Sequence, residues 1–352
     1  MGDIAREAGV SQSTVSRVLN ATASSIPISD QTQERVRATA RRLGYRPNPL
    51  ARGLRGASTM LLGVIVRDIV DPFFSGAIEA VTRAAAAHGY NVVLGHAHGR
   101  ADEAILLRSV LETRHVDAIL VLGDMGDQPL IIEDLRGSHV PAVALWQGSA
   151  SRGLPSVSVD NAMGISQALD HLLALGHRRI AFVSGRPLGD IEERRHAFES
   201  RMNAEGLALS TGSFQEVPNE PAGGEEALAA LLEQPVRPTA IVCSTDQLAI
   251  GVLYGAAVRG IAVPGDLSVV GFDDLPISAF LVPPLTTIRM PVHEMAARAV
   301  RMAFDGPPSA GSPLVEVLRP ELVVRQSTAA VLESSDRPAA TRDIGSRTSA
   351  PA

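Results

Sequence analysis

The chain has 352 residues, enough for two or three domains, and its 45% hydrophobic and 20% charged content is ordinary for a globular protein. No apolar run is long enough to cross a bilayer, and the polar N-terminus leads us to expect no signal peptide, so we expect a cytoplasmic protein with no membrane partner. The single cysteine, Cys243, excludes an intramolecular disulfide and stands in an apolar run that predicts a buried strand.

The charge is unevenly distributed along the chain. Residues 1–56 hold nine arginines and four acidic residues, a charge of +5, so with a net charge of −6 for the whole chain the remainder carries −11. A basic head on an acidic body favours a polyanionic partner for the head alone.

Residues 3–20 predict two short helices joined by a tight turn. Gly9 can supply the positive φ that ends a helix, and Ser11 is a good N-cap for the next one. Apolar residues then recur on one helical face, whereas the opposite face carries polar side chains that can reach base edges in a major groove. That polar face comprises Gln12, Ser13, Ser16 and Arg17. The pattern is typical of a helix-turn-helix, with an ordinary two-helix corner as the alternative.

A polar loop follows, and Ser29 then caps a third predicted helix that ends at Gly44. Its apolar face comprises Val36, Ala40 and Leu43. Three helices in so short a stretch predict a small core that can just stand alone.

A short segment after the third helix begins with two prolines, Pro47 and Pro49, that break the helix. Asn48 can cap a new helix, but one of about seven residues that contains Gly53 is marginal on its own. Such a helix forms when something holds it, for instance DNA and a second copy of itself. A plain linker is the alternative.

From Met60 onward, short apolar strands alternate with amphipathic helices, a pattern typical of parallel sheets covered on both faces. Strands are predicted at residues 61–66, 91–95, 118–122, 142–145, 157–159, 180–184, 240–244, 267–271 and 286–288. Helices are predicted at residues 72–88, 102–113, 130–138, 162–175, 191–205, 224–232, 247–259 and 292–304. The strands are too many for one six-stranded sheet, so we expect two doubly wound domains with a ligand in the cleft between them.

Seven motifs occur in order between residues 3 and 328. They occupy residues 3–11 with 14–20, 43–48 with 51–54, 159–161, 175–180, 244–251, 267–274 and 283–288. In this set and order they resemble the LacI/GalR family of bacterial transcriptional regulators. The resemblance implies an N-terminal all-α helix-turn-helix head and a two-lobed α/β body like the periplasmic sugar-binding proteins, with two doubly wound parallel sheets.

The resemblance also implies the domain organisation. We assign the helix-turn-helix DNA-binding domain to residues 1–46, the hinge helix and linker to 47–59, the two-lobed effector-binding and dimerisation domain to 60–328, and a disordered tail to 329–352. The function implied is a sequence-specific DNA-binding regulator of transcription, a repressor, controlled by a small effector such as a sugar or related metabolite. No leucine heptads follow Val324, so we expect a homodimer without a tetramerisation helix.

Residues of the head receive roles from the resemblance. The second helix is expected to enter the major groove of a pseudo-palindromic operator in double-stranded DNA, where Gln12, Ser13 and Arg17 match base-reading positions. The positions that match phosphate contacts are Thr14, Ser16, Asn20 and Tyr45.

The hinge segment, which Asn48 opens, is expected to pair with its copy in a dimer and to lie in the minor groove at the operator centre. Leu54 matches the leucine that wedges into a central base step and kinks the DNA, and Ala51 matches the neighbouring minor-groove position.

The cleft between the lobes receives its ligand positions in the same way. The matching residues are Phe73, Phe74, Trp146, Arg194, Thr245 and Asp273. The aromatic residues supply an apolar wall or stack on a sugar ring or base. An arginine and a carboxylate aimed into one cleft can hold the hydroxyls of a polyol by charge-assisted hydrogen bonds. Ala197 stands where the family's arginine-x-x-glycine-aromatic pattern has glycine.

Two other classes of protein compete with a regulator. A solute-binding protein would share the two-lobed body, but the basic head and the polar N-terminus argue against it. An enzyme is the second class, and His96 and His98 could suggest a metal, yet no nearby Cys or His completes a site. No phosphate loop or nucleophile–base pair is recognisable, so we expect no catalytic residue, no metal and no cofactor.

Overall fold

The computed structural model describes residues 1–19, 27–45, 58–96, 116–125, 129–146, 153–187, 189–207, 212–306 and 315–331. These ranges contain the following helices: α1 (Gly2–Ala8), α2 (Gln12–Leu19), α3 (Asp30–Arg42), α4 (Pro72–Ala87), α5 (Pro129–Gly137), α6 (Asn161–Ala174), α7 (Asp190–Ala204), α8 (Pro221–Leu232), α9 (Asp246–Val258) and α10 (Val292–Asp305). Not one of them is long and apolar enough to cross a membrane.

The strands of the described chain belong to two six-stranded sheets. They are β1 (Leu61–Val66), β2 (Asn91–His96), β3 (Ala118–Leu122), β4 (Ala142–Leu145), β5 (Ser156–Val159), β6 (Ile180–Ser184), β7 (Phe214–Glu216), β8 (Ala240–Cys243), β9 (Ser268–Asp273), β10 (Thr286–Arg289), β11 (Val315–Leu318) and β12 (Glu321–Val323).

The head consists of α1, α2 and α3, and its predicted caps are confirmed. Gly9 ends α1 with a φ of 63°. The hydroxyl of Ser11 accepts a hydrogen bond from the backbone N–H of Thr14 at 3.1 Å, and Ser29 caps α3. Each cap satisfies backbone donors or acceptors that a helix end leaves open, so the corner between α1 and α2 is set locally.

The head core takes large apolar residues from all three helices. Ile4, Val15 and Val36 are fully buried together, with alanines filling the space between them. The prediction that Leu43 shares this apolar face is wrong, because α3 ends at Arg42 and Leu43 is 40% exposed.

The N-terminal lobe, or N-lobe, is built on the sheet of order β11-β5-β4-β3-β1-β2, whose described pairings are all parallel. The C-terminal lobe, or C-lobe, is built on the sheet of order β12-β10-β9-β8-β6-β7, in which only β12 runs antiparallel to its neighbour among the described strands. The central strands are almost entirely buried because helices cover both faces, which is why the sequences of β1, β3, β4 and β8 are continuously apolar. The predicted pair of doubly wound sheets is confirmed.

The chain passes between the lobes at three places within the described ranges: from β5 to α6, from β10 to α10, and from β11 to β12. Helix α10 therefore packs on α4 and the N-lobe sheet although it follows the C-lobe in sequence. Asp160, at the first of these passages, caps α6 by accepting from the backbone N–H of Met163 at 2.8 Å.

The nine predicted strands are all present, and the predicted helices match within a few residues, except that residues 102–113 lie outside the described chain. The strands β7, β11 and β12 escaped prediction. All three are short edge strands that mix glutamate or glutamine with apolar residues and are only partly buried. Cys243 is buried in β8 as predicted, and burial raises the pKa of its thiol.

The body extends past the predicted start of the tail at residue 329. The backbone N–H of Ala329 donates to Ser268 Oγ at 3.1 Å, and that of Val331 donates to the carbonyl of Leu175 at 3.0 Å. These hydrogen bonds hold residues 329–331 on the C-lobe, so that boundary is corrected; residues 332–352 lie outside the described chain.

Candidate functional sites in the head and the interlobe cleft

Helix α2 presents a polar face away from the head core. Gln12 and Ser13 are exposed, and Ser16 and Arg17 are half-buried. The opposite face is held in the core by Val15 and its neighbours. One face therefore anchors the helix, and the other can contact a partner.

The remaining predicted contacts of the head are placed as follows. Thr14 is half-buried, and its hydroxyl lies 2.8 Å from that of Ser11. Tyr45 packs against the head core, with its backbone N–H donating to the carbonyl of Ala40 at 2.9 Å. The predicted contacts Asn20, Asn48, Ala51 and Leu54 lie outside the described residues.

A cavity of about 230 Å³ lies between the lobes, slightly smaller than most small-molecule sites. Its walls include residues that follow the carboxyl ends of strands in both sheets, such as Trp146 after β4 and Thr245 after β8. The six residues predicted for the cleft all line this one cavity: Phe73, Phe74, Trp146, Arg194, Thr245 and Asp273.

The aromatic wall belongs to the N-lobe. The ring centroid of Phe73 lies 5.1 Å from that of Trp146 and 5.3 Å from that of Phe74, both in edge-on geometry. Trp146 is 3% exposed and adopts a left-handed backbone with a φ of 58°. Its indole Nε1–H has no hydrogen-bond partner within the described chain. Because Phe73 is only half-buried, it is the ring that offers most surface to a ligand.

The guanidinium of Arg194, on α7, is 3% exposed and is the centre of a polar network in the C-lobe wall. Its Nη1 donates to the carbonyl of Ser244 at 2.6 Å and to Asp273 Oδ1 at 3.3 Å, and its Nε donates to Asn161 Oδ1 at 2.9 Å. The Phe272 ring lies against it, with Cζ 3.6 Å from the ring centroid. The arginine is thus fixed before any ligand binds.

Asp273 combines burial with backbone strain. It ends β9 with a φ of 115°, a conformation that non-glycine residues rarely adopt. Burial raises the pKa of its carboxyl well above the ordinary 3.8, and the nearby Arg194 opposes that rise. Strain and a perturbed carboxyl at one residue are typical of a functional position.

A chain of two hydrogen bonds crosses the cleft. Thr245 Oγ1 donates to Asn219 Oδ1 at 2.6 Å, and Asn219 Nδ2 donates to Asp71 Oδ2 at 3.2 Å. Asp71 also caps α4 through the backbone N–H of Phe73 at 2.9 Å. The C-lobe wall is therefore connected to the end of an N-lobe helix through side chains that line the cavity.

Comparison with known proteins decides the family. Residues 1–48 match the model of bacterial regulatory proteins of the lacI family, and residues 169–328 match that of the periplasmic binding protein-like domain. The catabolite control protein A of Priestia megaterium is 34% identical over 85% of this chain and 90% of its own length. The chain belongs to the LacI family of bacterial regulatory proteins.

Two solved structures of the family share the fold. One is a lac repressor dimer bound to operator and the anti-inducer ONPF, with 26% identity and a TM-score of 0.80 over 93% of this chain and 98% of that one. The other is a complex of the transcriptional regulator CelR with cellobiose, with 27% identity and a TM-score of 0.70 over 92% and 98%. Like its relatives, which include the HTH-type transcriptional repressor CytR of Escherichia coli, this LacI-family protein is a transcriptional regulator.

Among the residues that the structure describes, no group of three or more His, Cys, Asp and Glu side chains could hold a metal ion. His98, one of the two histidines considered for a metal, lies outside those residues.

Sequence reasoning missed Asn219, which contributes the middle of the hydrogen-bonded chain across the cleft. Asn219 follows the carboxyl end of β7, a position where ligand-binding residues are expected. Recognition of this edge strand in the sequence would therefore have indicated Asn219. Asn161 was noted only as part of a motif. Nothing in the sequence around Asn161 indicates that its side chain accepts a hydrogen bond from Arg194.

The C-lobe of this LacI-family protein also carries an apolar surface that no sequence pattern indicated. We call Tyr254, Val258, Phe280 and Val282 the C-lobe patch. Phe280 is 80% and Val282 94% exposed. These two line a groove with Ala257 of α9, the helix that carries Tyr254 and Val258. Large apolar side chains grouped on a surface mark an interaction site.

Proposed function

We propose that this LacI-family regulator is a homodimeric repressor that binds a pseudo-palindromic operator through its head and responds to a small uncharged polyol in the interlobe cleft. The observation that carries the proposal is the presence in one chain of an amphipathic α2 whose polar face points away from the head core and of a cavity between two lobes. A relative in this family is crystallised on operator DNA as a dimer. By analogy, this chain also forms a dimer that binds operator DNA.

Recognition of DNA is assigned to the polar face of α2. Gln12, Ser13 and Arg17 read base edges, with Arg17 to guanine contributing about 1–3 kcal/mol of discrimination. The remaining contacts, to phosphates and the minor groove, are assigned to Thr14, Ser16, Asn20, Tyr45, Asn48, Ala51 and Leu54. The two-fold symmetry of the dimer requires a site with matching two-fold symmetry.

The chemistry of the cavity favours an uncharged, hydroxyl-rich ligand such as a carbohydrate. Phe73 provides an apolar face, while Arg194, Thr245 and Asp273 present hydrogen-bonding groups to hydroxyls. The cavity lining holds five aspartates and three arginines, which disfavours an anionic ligand such as a sugar phosphate. Phe74 and Trp146 complete the wall, and cellobiose in CelR shows that a relative binds a sugar.

The dimer is assigned to the C-lobe patch, with a second copy of the chain as its occupant. Pairing two copies about a two-fold axis covers the patch on both subunits at once. We place the dimer in the cytoplasm with its DNA, without a cofactor.

The test is selection from a randomised DNA pool at fixed salt, with the full chain, with Arg17→Ala and with Arg178→Ala. Arg178 is an exposed arginine of the C-lobe, so its removal matches the charge change at a site away from the head. We expect the full chain and Arg178→Ala to enrich one pseudo-palindrome, and Arg17→Ala to lose or relax it. Equal enrichment by all three proteins would contradict the assignment of α2, and no enrichment by any would contradict the function.

A further inference from the structure

Three consecutive residues that follow the hinge segment donate to one carboxylate of the N-lobe. Asp117, immediately before β3, accepts from the backbone N–H of Thr59 at 3.0 Å, from Thr59 Oγ1 at 2.9 Å and from the backbone N–H of Met60 at 2.9 Å. The two Thr59 groups donate to Asp117 Oδ1, whereas the Met60 N–H and the hydroxyl of Ser58 donate to Oδ2. We call Asp117 with residues 58–60 the carboxylate clamp.

The backbone of the clamp is shaped for an anion. The backbone N–H groups of Thr59 and Met60 both point at the Asp117 carboxylate, one to each oxygen, and Met60 itself is left-handed with a φ of 57°. Burial of Asp117 favours a higher pKa, but the hydrogen bonds from Ser58, Thr59 and Met60 outweigh burial and lower the pKa below the ordinary 3.8. The carboxylate is therefore ionised at neutral pH, as charge-assisted hydrogen bonds require.

The clamp is also connected to the rest of the N-lobe. The hydroxyl of Tyr90 lies 3.2 Å from Ser58 Oγ, and the Tyr90 ring stacks on Phe304 of α10 with centroids 3.9 Å apart. The backbone N–H of Asp117 donates to the carbonyl of Leu61 at 2.8 Å, which places the clamp at the first rung between β1 and β3. Residues 58–60 are thus held from two sides.

We propose that Asp117 is a positioning residue for operator binding, which fixes the point at which the linker of each DNA-binding head joins the body. The inference rests on the proposed function. If residues 58–60 are held, the two heads of a dimer start from defined positions, and less conformational freedom is lost when they bind two half-sites together. Without the clamp, that freedom must be lost on binding, and operator affinity falls.

Electrostatics alone predicts the opposite sign. Removing one negative charge from a protein that binds DNA strengthens its attraction to phosphates. Asp117→Asn should therefore tighten binding slightly if the carboxylate acts only through its charge. It should weaken operator binding if the carboxylate holds residues 58–60, because an amide nitrogen cannot accept the hydrogen bonds.

The experiment compares Asp117→Asn and Asp117→Ala with the full-length protein and with Asp170→Asn. Asp170 is a C-lobe carboxylate that accepts from Arg201 at 2.6 Å, so its replacement makes the same charge change and also removes an ion pair. Hydrogen exchange of the Thr59 and Met60 amides measures the clamp directly. Affinities for the selected pseudo-palindrome and for a scrambled duplex of the same length, at one salt concentration, measure the consequence.

We expect Asp117→Ala to lose protection of both amides and Asp117→Asn, which keeps one acceptor oxygen, to lose protection of at least one. Both variants should bind the palindrome about ten- to a hundredfold more weakly, in line with the loss of one charge-assisted hydrogen bond, while binding the scrambled duplex unchanged or more tightly. Partial unfolding would instead lower both affinities alike. Retained amide protection, or unchanged operator affinity after protection is lost, would overturn the proposal. If the unmodified protein selects no DNA, the proposed function fails. The hydrogen-exchange measurement then still decides whether Asp117 holds residues 58–60.

Discussion

Asn219 of the C-lobe donates a hydrogen bond of 3.2 Å to Asp71 of the N-lobe across a cavity that both residues line. The lobes also come close together at Gly189 of the C-lobe. A Cβ added there would lie only 2.7 Å from the Cβ of Asp124 on the N-lobe. The two lobes are therefore held together by polar groups that a ligand would also contact. A ligand that replaces these hydrogen bonds changes the relation between the lobes, which is the physical requirement for an effector.

Removal of the interlobe contact should shift the protein toward an open cleft. We expect Asn219→Ala to favour the open form about fivefold, the equivalent of about 1 kcal/mol for one hydrogen bond. Single-molecule fluorescence between dyes on cysteines introduced at Glu79 and Glu226, one exposed position on each lobe, measures the distance. Asn203→Ala, at an exposed position of α7, is the control, and identical distance distributions for both variants would contradict the prediction.

Arg194→Met should destabilise the body by about 3–5 kcal/mol, because it leaves Asp273 buried without its cation. Adding Asp273→Asn to this variant removes the uncompensated charge and should recover part of the loss. Thermal unfolding at pH 7 of the two single variants and the double variant measures the coupling. Strictly additive effects would show that the two side chains do not depend on each other.

The stability of the C-lobe should depend on pH through Asp246. This carboxyl is fully buried, accepts hydrogen bonds from Leu275, Ser278 and Thr287, and has its pKa raised by burial to about 6 from the ordinary 3.8. A pKa raised in the folded state means that the group's contribution to stability is fully present below pH 3.8 and is lost as the pH rises through about 6.

Asp246→Asn should remove this dependence while keeping the fold, since the hydroxyls of Ser278 and Thr287 can reorient to accept. Relative to Asp246→Asn, the unmodified protein should lose about 2–2.5 kcal/mol of stability between pH 4 and pH 7. Thermal unfolding of both proteins across this range provides the measurement. Parallel stability curves would refute the prediction.

Trp146 is the only tryptophan of the chain and lines the cavity, so its fluorescence should report ligand entry. Titration with ribose and cellobiose as first probes should change the intensity or wavelength of emission whenever calorimetry detects binding. Trp146→Phe should abolish the signal. A sugar that binds by calorimetry without any change in emission would place binding outside this cavity.

Local rules account for much of this molecule. The head could be predicted because Gly9, Ser11 and Ser29 act through hydrogen bonds to residues two to four positions away. The central strands could be predicted because burial on both faces demands continuous apolar runs. Three of the four edge strands, β7, β11 and β12, could not, because they are short and mix glutamate or glutamine with apolar residues, a pattern that resembles that of a loop.

The residues of the cleft also include some that the sequence indicates and some that it does not. Arg194 and Asp273 were recognisable because they stand in motifs that resemble those of a known family, whereas Asn219 has no local signature. Its partner Asp71 is 148 residues away in sequence, and Asp117 is 59 residues from Ser58. Sequence by itself determined the helices, the central strands and the regulator family. Only the tertiary structure decided which polar groups meet across the cleft and at the clamp. The passage of the chain from β5 to α6 builds the second lobe, whose Asn219 faces Asp71, whereas the pairing of β1 with β3 brings Asp117 to residues 58–60. In both places the local sequence around one partner gives no indication of the other.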